Sequence, residues 1–231
     1  GIEVFGGTAR LRRIVITGAV DDSLDYDEGW QGKVQFALIV QTTSTQTAAP
    51  DRMIEASNRA VSSSSGSLQT NPQIANFTFV GLPTNSSAAN IRGIEFNATG
   101  GAPGSSGQLI NGVVIGSTTC LNADAANTSP APTINSTLFD CPGAYATAAT
   151  NLINAGTNNS TATANSLTPA KVGGRPFING ATELARTAVN PTTFNSGGDT
   201  FFTATTYIGA VQNSSDTWWQ GWTCTLDTAT C

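Results

Sequence analysis

GIEVF at residues 1–5, SLDYD at 23–27, MIEAS at 53–57 and GIEFN at 93–97 are four versions of one short pattern. Each sets an aliphatic residue before an acid and an apolar residue after it, so Ile2-Glu3, Leu24-Asp25, Ile54-Glu55 and Ile94-Glu95 align. A second series runs in step with the first: IVITG at 14–18, ALIVQ at 37–41, FTFVG at 77–81 and VVIGS at 113–117. β-Branched and aromatic residues dominate these runs and Gly recurs at their ends, which reads as strands rather than helices. Strand, short turn, strand and a connection of variable length therefore recur at intervals of about 22 to 40 residues. One such unit cannot bury its apolar face alone, whereas stacked units share a continuous core. The reading is an all-β parallel solenoid, with the excess length confined to polar stretches such as SSSSGS and GLPTNSSAAN.

Stacking in register has an electrostatic consequence. Glu3, Asp25, Glu55 and Glu95 become a row of acids with neighbours about 4.8 Å apart. Like charges that close raise one another's pKa unless they are paired. Arg12, Arg52 and Arg92 are the nearby cations, and the last two each stand three residues before their acid. That spacing favours a structural ion-pair ladder over a catalytic dyad. The densest acidic stretch is DDSLDYDEGW at 21–30, where Asp21, Asp22, Asp25 and Asp27 are candidate ligands for a structural calcium ion. Calcium takes six to eight oxygens, often from closely spaced carboxylates, although the Gly and Glu positions of an EF-hand loop are absent here. The plainer alternative is an acidic turn whose side chains cap the backbone.

Composition narrows the chemistry. The chain has 231 residues, a net charge of -5, only 11% charged residues and no histidine. Without histidine there is no Ser-His-Asp arrangement and no His-ligated zinc. Arg10, Arg12 and Arg13 form the one basic cluster; Arg10 and Arg12 fall on one strand face and read as solvated, so nucleic acid is not a partner. No apolar run of about 20 residues is available to span a membrane. The chain opens on Gly1 without a signal peptide, which reads as a processed product or part of a longer protein. Its four cysteines, Cys120, Cys141, Cys224 and Cys231, allow three pairings. The sequential one, 120–141 and 224–231, closes the shortest loops and is preferred. Disulfides place the chain in an oxidising compartment, in keeping with a surface rich in hydroxyls and amides.

Two regions follow from these patterns: coils over 1–140, and a loop-rich segment with a disulfide-pinned aromatic cap over 141–231. The stretch from Cys141 to Ala170 has room for one short helix. Beyond it Phe201, Phe202, Tyr207, Trp218, Trp219 and Trp222 gather near the end, as a cover for an open solenoid would require. Trp218, Trp219 and Trp222 are also candidates for stacking on sugars. Eight Asn-x-Ser/Thr sequons, Asn76 among them, are read as chance in a chain so rich in these residues.

The opening GIEVFGGTARLRRIVITGAVDDSLDYDEGWQGKVQFALIVQ and the tail TYIGAVQNSSDTWWQGWT resemble a group of bacterial secreted or outer-surface proteins. The similarity covers 1–41, 201–224 and, more weakly, 51–117. It implies a right-handed parallel β-helix at the cell surface or in the medium, and carries over no reaction. In that group further coils precede the GIE segment, which leaves a bare strand edge here, and such edges are normally covered. The expected role is structural or adhesive, with self-association head to tail into a filament. A glycan-binding module, and below it a polysaccharide lyase or hydrolase, are the alternatives. No cofactor beyond a structural calcium is implied.

Overall fold

QIANFTFV at 73–80 and QLINGVVI at 108–115 each carry an asparagine in the middle of an apolar run. In the computed structural model, which describes residues 1–41, 52–58, 68–82, 91–97, 104–124, 131–224 and 226, these asparagines organise the molecule. Ten strands alternate between two parallel sheets. Sheet A stacks the short strands β1 (Ile2–Phe5), β3 (Leu24–Asp27), β5 (Arg52–Ala56), β7 (Arg92–Phe96) and β9 (Thr119–Ala123). Sheet B stacks the long ones, β2 (Arg10–Thr17), β4 (Lys33–Val40), β6 (Gln73–Val80), β8 (Gln108–Ile115) and β10 (Thr133–Asp140). Five coils of a parallel β-helix result. The sequence pattern marks only four short strands, because the fifth, TCLNA, has Asn122 where the others have an acid.

The fourth residue of every long strand is left-handed: Arg13, Phe36, Asn76, Asn111 and Ser136 all have φ between 50° and 63°. Asparagine tolerates that conformation better than most residues. These five positions drop out of the strand pairing, so each long strand is two short ones joined at a bend. Side chains after the bend resume alternation with a shift. Ala37, Ile39, Phe77, Phe79, Val114 and Phe139 point into the core, while Leu38, Val40, Val80, Val113, Ile115 and Leu138 form a second apolar stripe on the outer face. Gly112 leaves the space that the Phe77 ring fills, since a Cβ there would lie 2.1 Å from its Cζ.

That outer stripe decides where the rest of the chain goes. Covering six aliphatic side chains is worth on the order of 2 kcal/mol each. The segment after residue 170 lies along them, with Phe177, Ile208, Val211 and Trp219 buried in the same cluster. The tryptophan region thus covers a side of the helix, not its end as the sequence suggested. The end is closed by α1 (Thr147–Ala155), whose Ala149 and Ile153 enter the main core. Residues 157–160 then satisfy the outer edge of β10: Ser136 N donates to Thr157 O and Phe139 N to Ser160 O, both at 2.8 Å. Beyond these lie β11 (Thr168–Pro169), β12 (Pro176–Ile178) and α2 (Ala181–Leu184).

Side-chain amides fasten the arm. Gln35 and Asn111 each pair with a backbone peptide as a second peptide would: Thr203 N donates to Gln35 Oε1 at 2.9 Å, and Gln35 Nε2 donates to Thr203 O at 2.8 Å. Val189 and Asn111 repeat the arrangement at 2.8 and 2.7 Å. Asn76 Nδ2 donates to Tyr207 O at 3.0 Å. Arg10 and Arg12, read as a solvated face, both lie near Phe201, with guanidinium carbons 5.9 and 4.8 Å from its ring centre, and the Arg10 side chain stays 51% exposed. Asp199 ties the same corner down, 3.0 Å from Arg10 and 2.6 Å from Lys33, and Lys33 holds its carboxyl down at about 2. Cationic side chains with long apolar stems pack readily on aromatic rings.

Cys120 and Cys141 are bonded, joining the last short strand to the segment that leads into α1. Cys224 is also disulfide-bonded, and Cys231 lies outside the described residues.

Candidate functional site

The outer face of sheet A carries the acids. Strand pairing sets Glu3 against Asp25, Asp25 against Glu55, Glu55 against Glu95 and Glu95 against Asn122. The row expected from the repeat is in register, and Asn122 ends it by donating to Glu95 Oε1 at 2.8 Å. Five strands at this spacing extend about 20 Å.

The two halves of the row differ. In the later half Arg52 and Arg92 both bond Glu95, whose side chain is 3% exposed. Arg12 takes no part, because it stands on sheet B. In the earlier half the position three residues before the acid, arginine in β5 and β7, is Asp22. The reversal adds a carboxylate where a cation is needed. Ligand oxygens of Asp22, Asp25 and Glu55 all lie within 4.8 Å of one another. The only guanidinium reaching this group is that of Arg52, 3.8 Å from both Asp22 Oδ1 and Glu55 Oε1, among the described residues. Asn97 Nδ2 donates to Glu55 Oε1 at 2.8 Å.

Crowding shows in the titration. Burial, a hydrogen bond with Glu55 and the Glu55 charge push Asp22 up to about 8. Burial, then the charges of Glu55, Glu3 and Asp27, push Asp25 up to about 7. At neutral pH the group therefore holds protons or a cation in their place. Asp22 is buried, and its Oδ1 accepts no hydrogen bond. Three hard oxygen donors, one of them buried and without a donor, fit a divalent cation such as calcium.

Of the four ligands expected from sequence, Asp22 and Asp25 are brought together. Asp21 is exposed and outside the group. Asp27 shares the outward face with Asp25, but its Oδ1 accepts from the Glu28 amide at 2.6 Å. Glu55 joins because a neighbour across the sheet is about 4.8 Å away, nearer than the next outward residue along the same strand. Aligning the residues before each acid in the repeat would have exposed the Asp22 reversal.

The tryptophans divide as well. Trp219 is 1% exposed, its ring edge-on to Phe177 with centres 5.0 Å apart. Trp222 is 56% exposed. Trp218 is half-buried, 6.3 Å from Trp222 between ring centres. A cavity of about 370 Å³ also opens between α1 and the last coil, with Phe96, Ala123, Pro132 and Leu152 in its walls. Its walls are mostly apolar and bring no pair of acids together.

Comparison with known proteins accords with this architecture: the family model for the pectate-lyase-like β-helix domain matches residues 1–223. The chain belongs to that family. No curated protein and no solved structure matches it with significance. Among the described residues, no helix of this β-helix is long and apolar enough to cross a membrane.

Proposed function

We propose that this protein is an extracellular, adhesive β-helix that grips acidic polysaccharide along the outer face of sheet A. A divalent cation held by Asp22, Asp25 and Glu55 makes the contact. The observation that carries this reading is the reversal at Asp22, which leaves three carboxylates crowded together, Asp22 buried and Asp25 and Glu55 partly exposed, with one shared guanidinium nearby. Such a face repels an anionic sugar chain and attracts divalent cations. Calcium accepts six to eight oxygens, so three protein carboxylates leave positions for the carboxylates and hydroxyls of a uronate polymer. The length of the acid row suits an extended chain, and the two disulfide-bonded cysteine sites suit an oxidising compartment.

Binding is favoured over cleavage by the state of the cations. Eliminative cleavage of a uronate needs a base beside the cation, and both arginines of the row are engaged by Glu95. A filament is not favoured, because α1 and residues 157–160 cover the last coil that a head-to-tail neighbour would need.

Calorimetric titration with calcium chloride, followed by binding to immobilised polygalacturonate and alginate, tests the reading. The expected result is calcium uptake with proton release, and polymer retention that EDTA and Asp25→Asn both abolish. Retention unaffected by EDTA, or no calcium uptake at all, overturns it. Appearance of unsaturated uronate product in the ultraviolet would make the protein an enzyme instead.

A further inference from the structure

The turn that carries the tryptophans is held without any ion or ion pair among the bonds that fix its three indoles. The segment from Asp216 to Thr223 is held from within. Trp219 is its buried anchor, donating through Nε1 to Asp216 O at 3.2 Å, and Thr223 Oγ1 donates to Trp219 O at 2.6 Å. Anchoring one indole fixes the two beside it. Trp218 Nε1 donates to Ala210 O, and Trp222 Nε1 donates to Trp218 O, each at 2.9 Å. Both outer indoles have therefore spent their only polar group on the protein backbone. What they have left to offer a partner is apolar ring, in two rings inclined to each other by 34°.

The surroundings specify the partner. From Gln212 to Cys224 the one ionisable acid or base among the side chains is Asp216, whose Oδ2 accepts from the Gln212 amide at 2.9 Å. Thr217 and Gln220, exposed on the same turn, supply neutral hydrogen-bonding groups beside the rings. Rigid aromatic faces flanked by a hydroxyl and an amide, with no charge presented, match a ligand with an apolar C–H face and a rim of hydroxyls. A polyanion finds no counter-charge on this turn.

We infer that Trp218 and Trp222 form a stacking platform for the pyranose rings of a neutral polysaccharide. The platform lies over the outer face of sheet B, with the core between it and the acid row. It needs sugar and no cation, so it stands or falls apart from the calcium site.

The distribution of tryptophans makes the test specific. Trp30 and Trp219 are buried, and Trp222 is the exposed indole. N-Bromosuccinimide oxidation, mapped by peptide mass spectrometry, is run on the intact chain with cellohexaose, xylohexaose, mannohexaose or phosphatidylcholine vesicles. At least one hexasaccharide is expected to shield Trp222 and to blue-shift its fluorescence, with EDTA and Asp25→Asn making no difference. Trp222→Ala is expected to weaken that binding about tenfold, the scale of one aromatic contact. Trp222→Phe is expected to retain part of the affinity, and unchanged circular dichroism checks both folds. Three results overturn the inference: no shielding by any hexasaccharide at millimolar concentration, shielding by vesicles alone, or shielding that EDTA removes.

Discussion

The two sheets of this β-helix turn very different faces outward. Sheet B exposes aliphatic side chains and amides, and the chain covers them itself with about fifty residues of irregular arm. Sheet A turns a row of acids outward, running from exposed Glu3 to buried Glu95. Both faces belong to the same coils, so the contrast is written by side-chain choice alone. An apolar outer stripe recruits the protein's own chain, whereas a row of acids is left to cations and to water.

The most damaging way to break the contrast is to uncover sheet B. Trp219→Ala removes the arm's largest buried anchor and should cost about 4 kcal/mol, as large-to-small changes of buried aromatics do. Denaturant unfolding would report the loss, and limited proteolysis should cut first within the arm, leaving the coils intact. A cost below that of a surface substitution would mean that the arm is not held by this cluster.

On the other sheet the largest effect belongs to Glu95→Ala. It leaves Arg52 and Arg92, which pair in register, facing each other without their shared carboxylate. Losing one partner of a buried ion pair costs about 3 kcal/mol or more, and added salt should recover part of the loss in melting temperature. A smaller effect is expected at the arm's amide contacts. Asn111→Ala abandons both hydrogen bonds to the Val189 peptide and places alanine at φ 60°, for about 2 kcal/mol in all. Asn111→Asp should restore one of the two bonds and a fraction of the stability.

The smallest effect is the most informative about the open face. Asp22 and Asp25 have folded pKa values raised to about 8 and about 7, whereas unfolded aspartate titrates near 4. The folded state therefore binds more protons between those limits, and stability falls as pH rises through them. In EDTA the melting temperature should drop by several degrees from pH 5 to pH 8.5. Millimolar calcium should reverse the drop, and Asp25→Asn should remove part of it, leaving the larger share that Asp22 carries. A flat profile in EDTA would mean that the crowded carboxylates are relieved in some other way.

How much of this was legible in the sequence depended on the range of the interactions. The acid row was legible, because a strand alternates with period two and the repeat fixes the register of Glu3, Asp25, Glu55 and Glu95. Asn76 and Asn111 marked the bend in their strands, but Arg13 and Phe36 adopt it without any matching preference, carried by the coils beside them. The course of the arm was not legible. It rests on contacts such as Gln35 with Thr203, 168 residues apart, whose partners share no local pattern. The place of the tryptophans was not legible either, because the second apolar stripe of Leu38, Val40, Val80 and Val113, against which Trp219 is buried, is hidden among alternating residues of separate strands.

The side-chain amides that hold the arm have a consequence for time as well as for shape. Gln35, Asn76 and Asn111 belong to three successive coils, so their amides come into line only once those coils have stacked. Before that moment the arm has no template to read. It must be the last part of the chain to dock and the first to leave, which puts its contacts on the native side of the folding barrier. Interactions formed that late slow unfolding without speeding folding. The arm thus sets how long a coil stack survives once assembled.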